Sequence, residues 1–118
     1  GADVVVQNLR TGSAERRGIG YEQVSAINPR VIYCSITAYG RTGPRAADPA
    51  YDSVIQAVSG LMALTGTEQS GPLKAGPPII DYVTGLNAAL AVACAVVDRD
   101  APAGVTTSTC RCSTPTSR

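Results

Sequence analysis

An α/β fold is the class this sequence predicts, on three observations. Two β-branched runs, Val4 to Gln7 and Val31 to Ala38, have the largely apolar character of strands inside a parallel sheet. Between them, Tyr21, Val24 and Ile27 recur at helical spacing, so the first forty residues read β-α-β with parallel strands. After the second strand the spacing of apolar residues becomes helical, which gives a β-α-β unit followed by helices.

Each element has a local reason. Val4-Val5-Val6 runs into a turn at Thr11-Gly12, and Ser13 offers an N-cap with Arg16 one turn inside. The helix from Tyr21 ends at Asn28-Pro29, because proline cannot continue it. From Gly40 to Ala50 the chain has Gly40, Gly43, Pro44 and Pro49 and no periodicity, which predicts a functional loop decorated by Tyr39, Arg41 and Arg45. Helical spacing returns from Tyr51 to Leu64, with Val54, Ile55, Val58, Leu61 and Met62 as a core stripe and Asp52 near the start, where the helix dipole favours it. A connection from Thr65 to Pro78 contains Lys74 and closes on Gly76-Pro77-Pro78. The run from Leu86 to Val97 is shorter than the ~20 residues a bilayer needs, so it reads as a core helix and not as a membrane span.

The chain has 118 residues and a net charge of +1, with no basic run of the kind that binds nucleic acid. It contains no Trp, no Phe and five Tyr, so large side chains for a core are scarce. A strand that begins almost at the terminus, without a preceding partner strand or signal sequence, reads as the interior of a longer cytoplasmic enzyme. Residues 1–100 are expected to form a partial domain and residues 101–118 a polar, disordered tail.

Asp81 is the only charged residue between Lys74 and Asp98, inside the apolar stretch Ile79 to Leu86. A buried carboxylate is costly unless it is paired or used. Its place at the mouth of the last helix allows the plain reading of an N-cap that satisfies free amides. Six blocks elsewhere argue for more. They are Ala2 to Gly12, Ile19-Gly20-Tyr21-Glu22, Ile27 to Ile36, Tyr39 to Pro44, Tyr51 to Met62, and Pro78-Ile79-Ile80-Asp81. In that order they resemble the family III CoA-transferases, the CaiB/BaiF family, whose relatives include the 2-methylacyl-CoA racemases. The resemblance covers nearly everything up to Arg99.

The resemblance implies a fragment of a Rossmann-like large domain, from an enzyme that moves CoA from an acyl-CoA to a carboxylic acid. It implies that Asp81 is the nucleophile, that CoA or acyl-CoA is a substrate with no bound cofactor, and that full-length relatives form an interlocked homodimer. Asn8, Arg16 and Tyr51 occupy positions that contact CoA in the transferases, and a guanidinium such as that of Arg16 forks onto two phosphate oxygens. A solvated helix charge is the alternative reading of Arg16. Arg10 is a further candidate, in a turn where Thr11 stands for the family's usual proline and loosens the geometry. The racemases pair the matching Asp with a His-Asp dipeptide where this chain has Tyr51-Asp52, and the chain contains no His. Tyr, with an ordinary pKa of about 10, is a poor proton relay at neutral pH, so transferase is favoured over racemase. A third reading is an inactive remnant, because a fragment buries little surface.

The tail from Ala101 to Arg118 departs from this pattern, and the genetic code suggests why. If each original codon began on the third base of a present one, Thr after position 105 requires His, Asn, Asp or Tyr, and Cys110 and Cys112 require Val, Met or Leu. Choosing among the allowed residues for Pro102 to Pro115 reproduces Thr-Gly-Arg-Gly-His-His-Val-Asp-Val-Ser-Met-Leu-Asp-Ala, the stretch that follows this helix in the family. A reading-frame shift at or just before Ala101 is therefore expected, with the Cys110 and Cys112 pair as its by-product and no metal site. Loss of the strand that follows would leave the Leu86 to Val97 helix partly uncovered. Cys34 and Cys94 read as small core residues.

Overall fold

The computed structural model describes residues 1–101. The order is β1 (Val4–Gln7), α1 (Ser13–Arg16), α2 (Tyr21–Ile27), β2 (Ile32–Ser35), α3 (Asp52–Val58), α4 (Leu61–Thr65) and α5 (Ile79–Asp100). The expected tail, the Cys110 and Cys112 pair and the recoded stretch lie outside the described residues.

β1 and β2 pair in parallel, Val4 with Ile32 through Gln7 with Ser35, as a β-α-β unit requires. Burial is unequal: Ile32, Cys34 and Ser35 are buried, whereas Val6 of β1 is 57% exposed. β2 is shorter than the predicted Val31 to Ala38, since the chain turns away after Ser35 to form one wall of a cavity. Tyr21 and Tyr33 meet edge to face at 5.9 Å, and the Tyr33 hydroxyl donates to the Ile19 carbonyl at 2.8 Å, which seats α2 on the sheet. Burial, with Glu15 nearby, raises the Tyr33 pKa above its ordinary 10.0.

Several local expectations are corrected. The cap of α1 is Gly12, left-handed at φ 79°, and Ser13 is already helical. The single helix predicted from Tyr51 to Leu64 is broken at Gly60, whose φ of 83° no helix accommodates, so α3 and α4 are separate. The apolar stripe is not a buried core either: Val54 and Val58 are 38% and 51% exposed, Ile55, Leu61 and Met62 are half-buried, and the buried face of α3 carries Asp52 and Gln56. Tyr39 does not decorate the loop. It is buried, with the Arg45 guanidinium 3.9 Å above its ring and bonded to its hydroxyl at 2.7 Å.

α5 packs on β2 and α3 with Ala88 as its buried residue, while Leu86, Leu90 and Val97 are 71%, 64% and 73% exposed. A core helix left partly uncovered is what the sequence predicts, but the uncovered part is most of it, and Cys94 is exposed instead of buried. With 22 residues, α5 is also long and apolar enough to cross a membrane by length and composition alone, more so than its Leu86 to Val97 segment suggests. Its far end is tied down by ions: Arg99 bonds Asp3 at 3.1 Å and Asp100 at 3.0 Å, and Arg30 bonds Asp100 at 3.1 Å.

Candidate functional site

Parallel strands place the loops that leave their carboxyl ends side by side, and that crevice is where open α/β sheets take ligands. Here the segment after β1 (Asn8 to Thr11) and the segment after β2 (Ile36 to Ala38) form one wall of a cavity of about 520 Å³. Gln7 holds the two ends together. Its Nε2 donates to Ser35 Oγ at 2.6 Å, and its Oε1 accepts the Leu9 N–H at 2.8 Å. The opposite wall comes from Tyr51, Asp52 and Ile55 at the start of α3 and from Ile80, Asp81, Thr84 and Gly85 in the first turns of α5.

Four of the five residues proposed from the sequence meet there: Asn8, Arg10, Tyr51 and Asp81 all line the cavity. Arg16 does not. It ends α1 with an exposed side chain that folds back toward Gly12, so the alternative of a solvated helix charge fits its place in this chain. In the turn that carries Thr11, the Ser13 N–H donates to the Arg10 carbonyl at 2.9 Å.

Asp81 is exposed, not buried. It also caps nothing: it is the third residue of α5, and among the described residues its carboxylate accepts no hydrogen bond. The capping carboxylate is Asp52, 7% exposed, reaching across from α3. Its Oδ2 accepts the N–H groups of Ile80 at 2.8 Å and Asp81 at 3.2 Å. Gln56, fully buried, donates Nε2 to Asp52 Oδ1 and accepts the Ala75 N–H on Oε1 at 2.9 Å. Sequence reasoning missed this pair. The spacing offers only a weak signal, since Asp52 and Gln56 stand at i, i+4 in a helix that also carries Ser53.

A smaller cavity of about 320 Å³ is lined by Glu15, Tyr33, Ser35 and Arg41 among others. Arg41 is ion-paired with Glu15, whose carboxyl is held below its ordinary 4.5 first by its own backbone N–H and then by Arg41. Among the described residues no cluster of His, Cys, Asp and Glu gathers as a metal site.

Comparison with known proteins fits this architecture. The profile of CoA-transferase family III matches residues 1–111. The chain is 40% identical over 96 residues to the succinate–glutarate CoA-transferase of Agrobacterium fabrum, covering 81% of this chain and 24% of that protein. It is 43% identical over 97 residues to human succinyl-CoA:glutarate CoA-transferase, covering 82% of this chain and 22% of that protein. The chain thus spans about a quarter of the length of these curated relatives. Among solved structures, a CaiB/BaiF family protein from Brucella suis superposes with a TM-score of 0.79 at 44% identity, over 83% of this chain and 26% of that one. Rv3272 from Mycobacterium tuberculosis gives 0.81 at 31% identity, over 96% and 30%. At that coverage the match includes most of α5, so this apolar helix has a counterpart in a crystallised family fold.

Proposed function

The chain belongs to CoA-transferase family III, and from that premise we propose that it carries the nucleophile and part of the CoA-binding wall of an acyl-CoA:carboxylate CoA-transferase. The observation that carries this reading is Asp81: an exposed carboxylate at the cavity wall, free of hydrogen bonds from the described residues, on a backbone held by Asp52. Free lone pairs are what a nucleophile needs, and a carboxylate is ionised at neutral pH without help.

In this reading the Asp81 carboxylate attacks the thioester carbonyl of an acyl-CoA and expels CoA thiolate, which leaves a mixed anhydride. The thiolate then attacks the Asp81 side of the anhydride, releasing the first carboxylate and leaving an aspartyl-CoA thioester. The acceptor carboxylate attacks that thioester to form a second anhydride, and the thiolate takes the acceptor's acyl group, restoring Asp81. No proton is gained or lost, and each step keeps the acyl group activated. Arg10 on the same wall supplies a cation for a CoA phosphate or an acceptor carboxylate, with Asn8 and Tyr51 beside it. Dicarboxylates of the succinate and glutarate class are the proposed donor and acceptor, after the relatives named above.

Proton relay by a racemase-type pair finds less support. The chain has no His, and both Asp52 oxygens are taken by donors, so Asp52 is not free to act as a base. An inactive remnant stays as the second reading, since the chain spans about a quarter of its relatives. Replacing the equivalent segment of the A. fabrum enzyme with residues 1–100 separates the two. Exchange of CoA between succinyl-CoA and glutarate, with hydroxylamine trapping Asp81 as its hydroxamate, supports the transferase; a stable graft without exchange supports the remnant.

A further inference from the structure

Most of the first turn of a helix lacks intrahelical partners for its N–H groups. In α5 the Ile79 N–H is bonded to the Pro77 carbonyl and the Tyr82 N–H to the Pro78 carbonyl, whereas those of Ile80 and Asp81 depend on the side chain of Asp52. We propose that Asp52 is the positioning residue for Asp81, and that Gln56 holds Asp52 in place. Asp52 clamps the backbone N–H of Asp81 itself and so fixes the bearing of its side chain toward the cavity. The inference rests on the reading of Asp81 as nucleophile. Its catalytic weight follows from geometry, because a misplacement of about 1 Å in a reacting group costs on the order of 10²-fold in rate.

The hydrogen-bond pattern makes the proposal specific. Backbone donors stand at both ends of the Asp52–Gln56 pair: Ile80 and Asp81 at one end, Ala75 at the other. Two backbone donors with two side chains between them require one carboxylate and one amide. Asp52→Asn sets one amide NH₂ against another donor whichever way either amide is flipped, while Gln56→Glu sets carboxylate against carboxylate. Making both changes restores every bond, with the charge moved by one helical turn. Rescue by D52N/Q56E is therefore expected, and loss of charge or volume alone does not predict it.

Amide hydrogen exchange in the 118-residue chain tests the clamp directly. In D52N, exchange at Ile80 and Asp81 rises at least about tenfold while Tyr82 and the β1 and β2 amides keep their protection, and D52N/Q56E restores the pattern. A D52N chain with unchanged Ile80 and Asp81 amides overturns the proposal, as does a double variant that fails to restore them. If a single variant loses protection everywhere, the double variant decides. In the grafted enzyme D52N lowers kcat at least about tenfold with KM for acyl-CoA within about twofold, and D52N/Q56E recovers it; an unchanged kcat also overturns the positioning role. Failure of Asp81 as nucleophile shows separately, as turnover retained in D81A with the amide pattern intact.

Discussion

The surroundings of α5 at its start and along its middle are opposites. Against its start, the Asp52 carboxylate and the Gln56 amide of α3 are buried and their oxygens are matched to donors, beside the cavity at the carboxyl ends of β1 and β2. Along its middle, leucine and valine side chains face outward with nothing described against them. Burying polar groups and exposing apolar ones both cost stability, so each needs a separate cause. The polar end is internally complete: every described partner in the clamp is on this chain. The apolar flank is exposed among the described residues. The difference teaches that polar matching and apolar cover are separate requirements of the same helix.

The sharpest way to break the polar half of the comparison is Asp81→Ala in the grafted enzyme. Turnover is expected to fall at least about 10³-fold while acyl-CoA binding, followed by calorimetry, stays within about threefold, because the nucleophile is lost and the cavity is not. Retention of most of the turnover would rule the nucleophile out.

The apolar half is tested next. Leu86→Glu with Leu90→Glu removes two exposed apolar side chains from α5, and self-association of the isolated chain should weaken at least about tenfold. Sedimentation velocity reads this out. A chain that is monodisperse before the changes, with a cooperative melt, would show that the flank needs no cover.

A finer contrast lies within the cavity wall. Arg10→Ala is expected to raise KM for acyl-CoA about tenfold, whereas Arg16→Ala, outside the lining, stays within about twofold. Equal effects in steady-state kinetics would mean that Arg16 reaches the substrate only in the complete enzyme.

The smallest effect is at the far end of α5. There the Arg99 hydrogen bond, aided by the charges of Arg99 and Arg30, lowers the Asp100 pKa below its ordinary 3.8. A lowered folded-state value means that the contribution is fully present above about pH 4 and is lost as pH falls through the folded pKa. Melts between about pH 6 and 2 should show a modest decline at the acid end that Asp100→Asn removes and salt weakens.

How much of this was legible depends on whether the signal is local. The parallel β-α-β start was, because two β-branched runs around a helical spacing fix pairing and order. The break at Gly60 was less so: a glycine inside a helical pattern reads the same whether it is tolerated or turned left-handed. Asp81 was singled out for burial, and it is exposed. The property sought belongs to Asp52, whose environment is assembled from α5 and the loop at Ala75.

By itself, then, the sequence determined the parallel β-α-β start, the family, and the choice of Asn8, Arg10, Tyr51 and Asp81 as residues near strand ends and helix starts, since periodicity, turn residues and motif order are properties of neighbours along the chain. Only the tertiary structure decided which aspartate is buried and which is free, that Arg16 lies away from the cavity, and that α5 is bare along its middle. Burial and hydrogen-bond satisfaction are set by what other segments bring within about 3 Å, and no spacing along one segment encodes that.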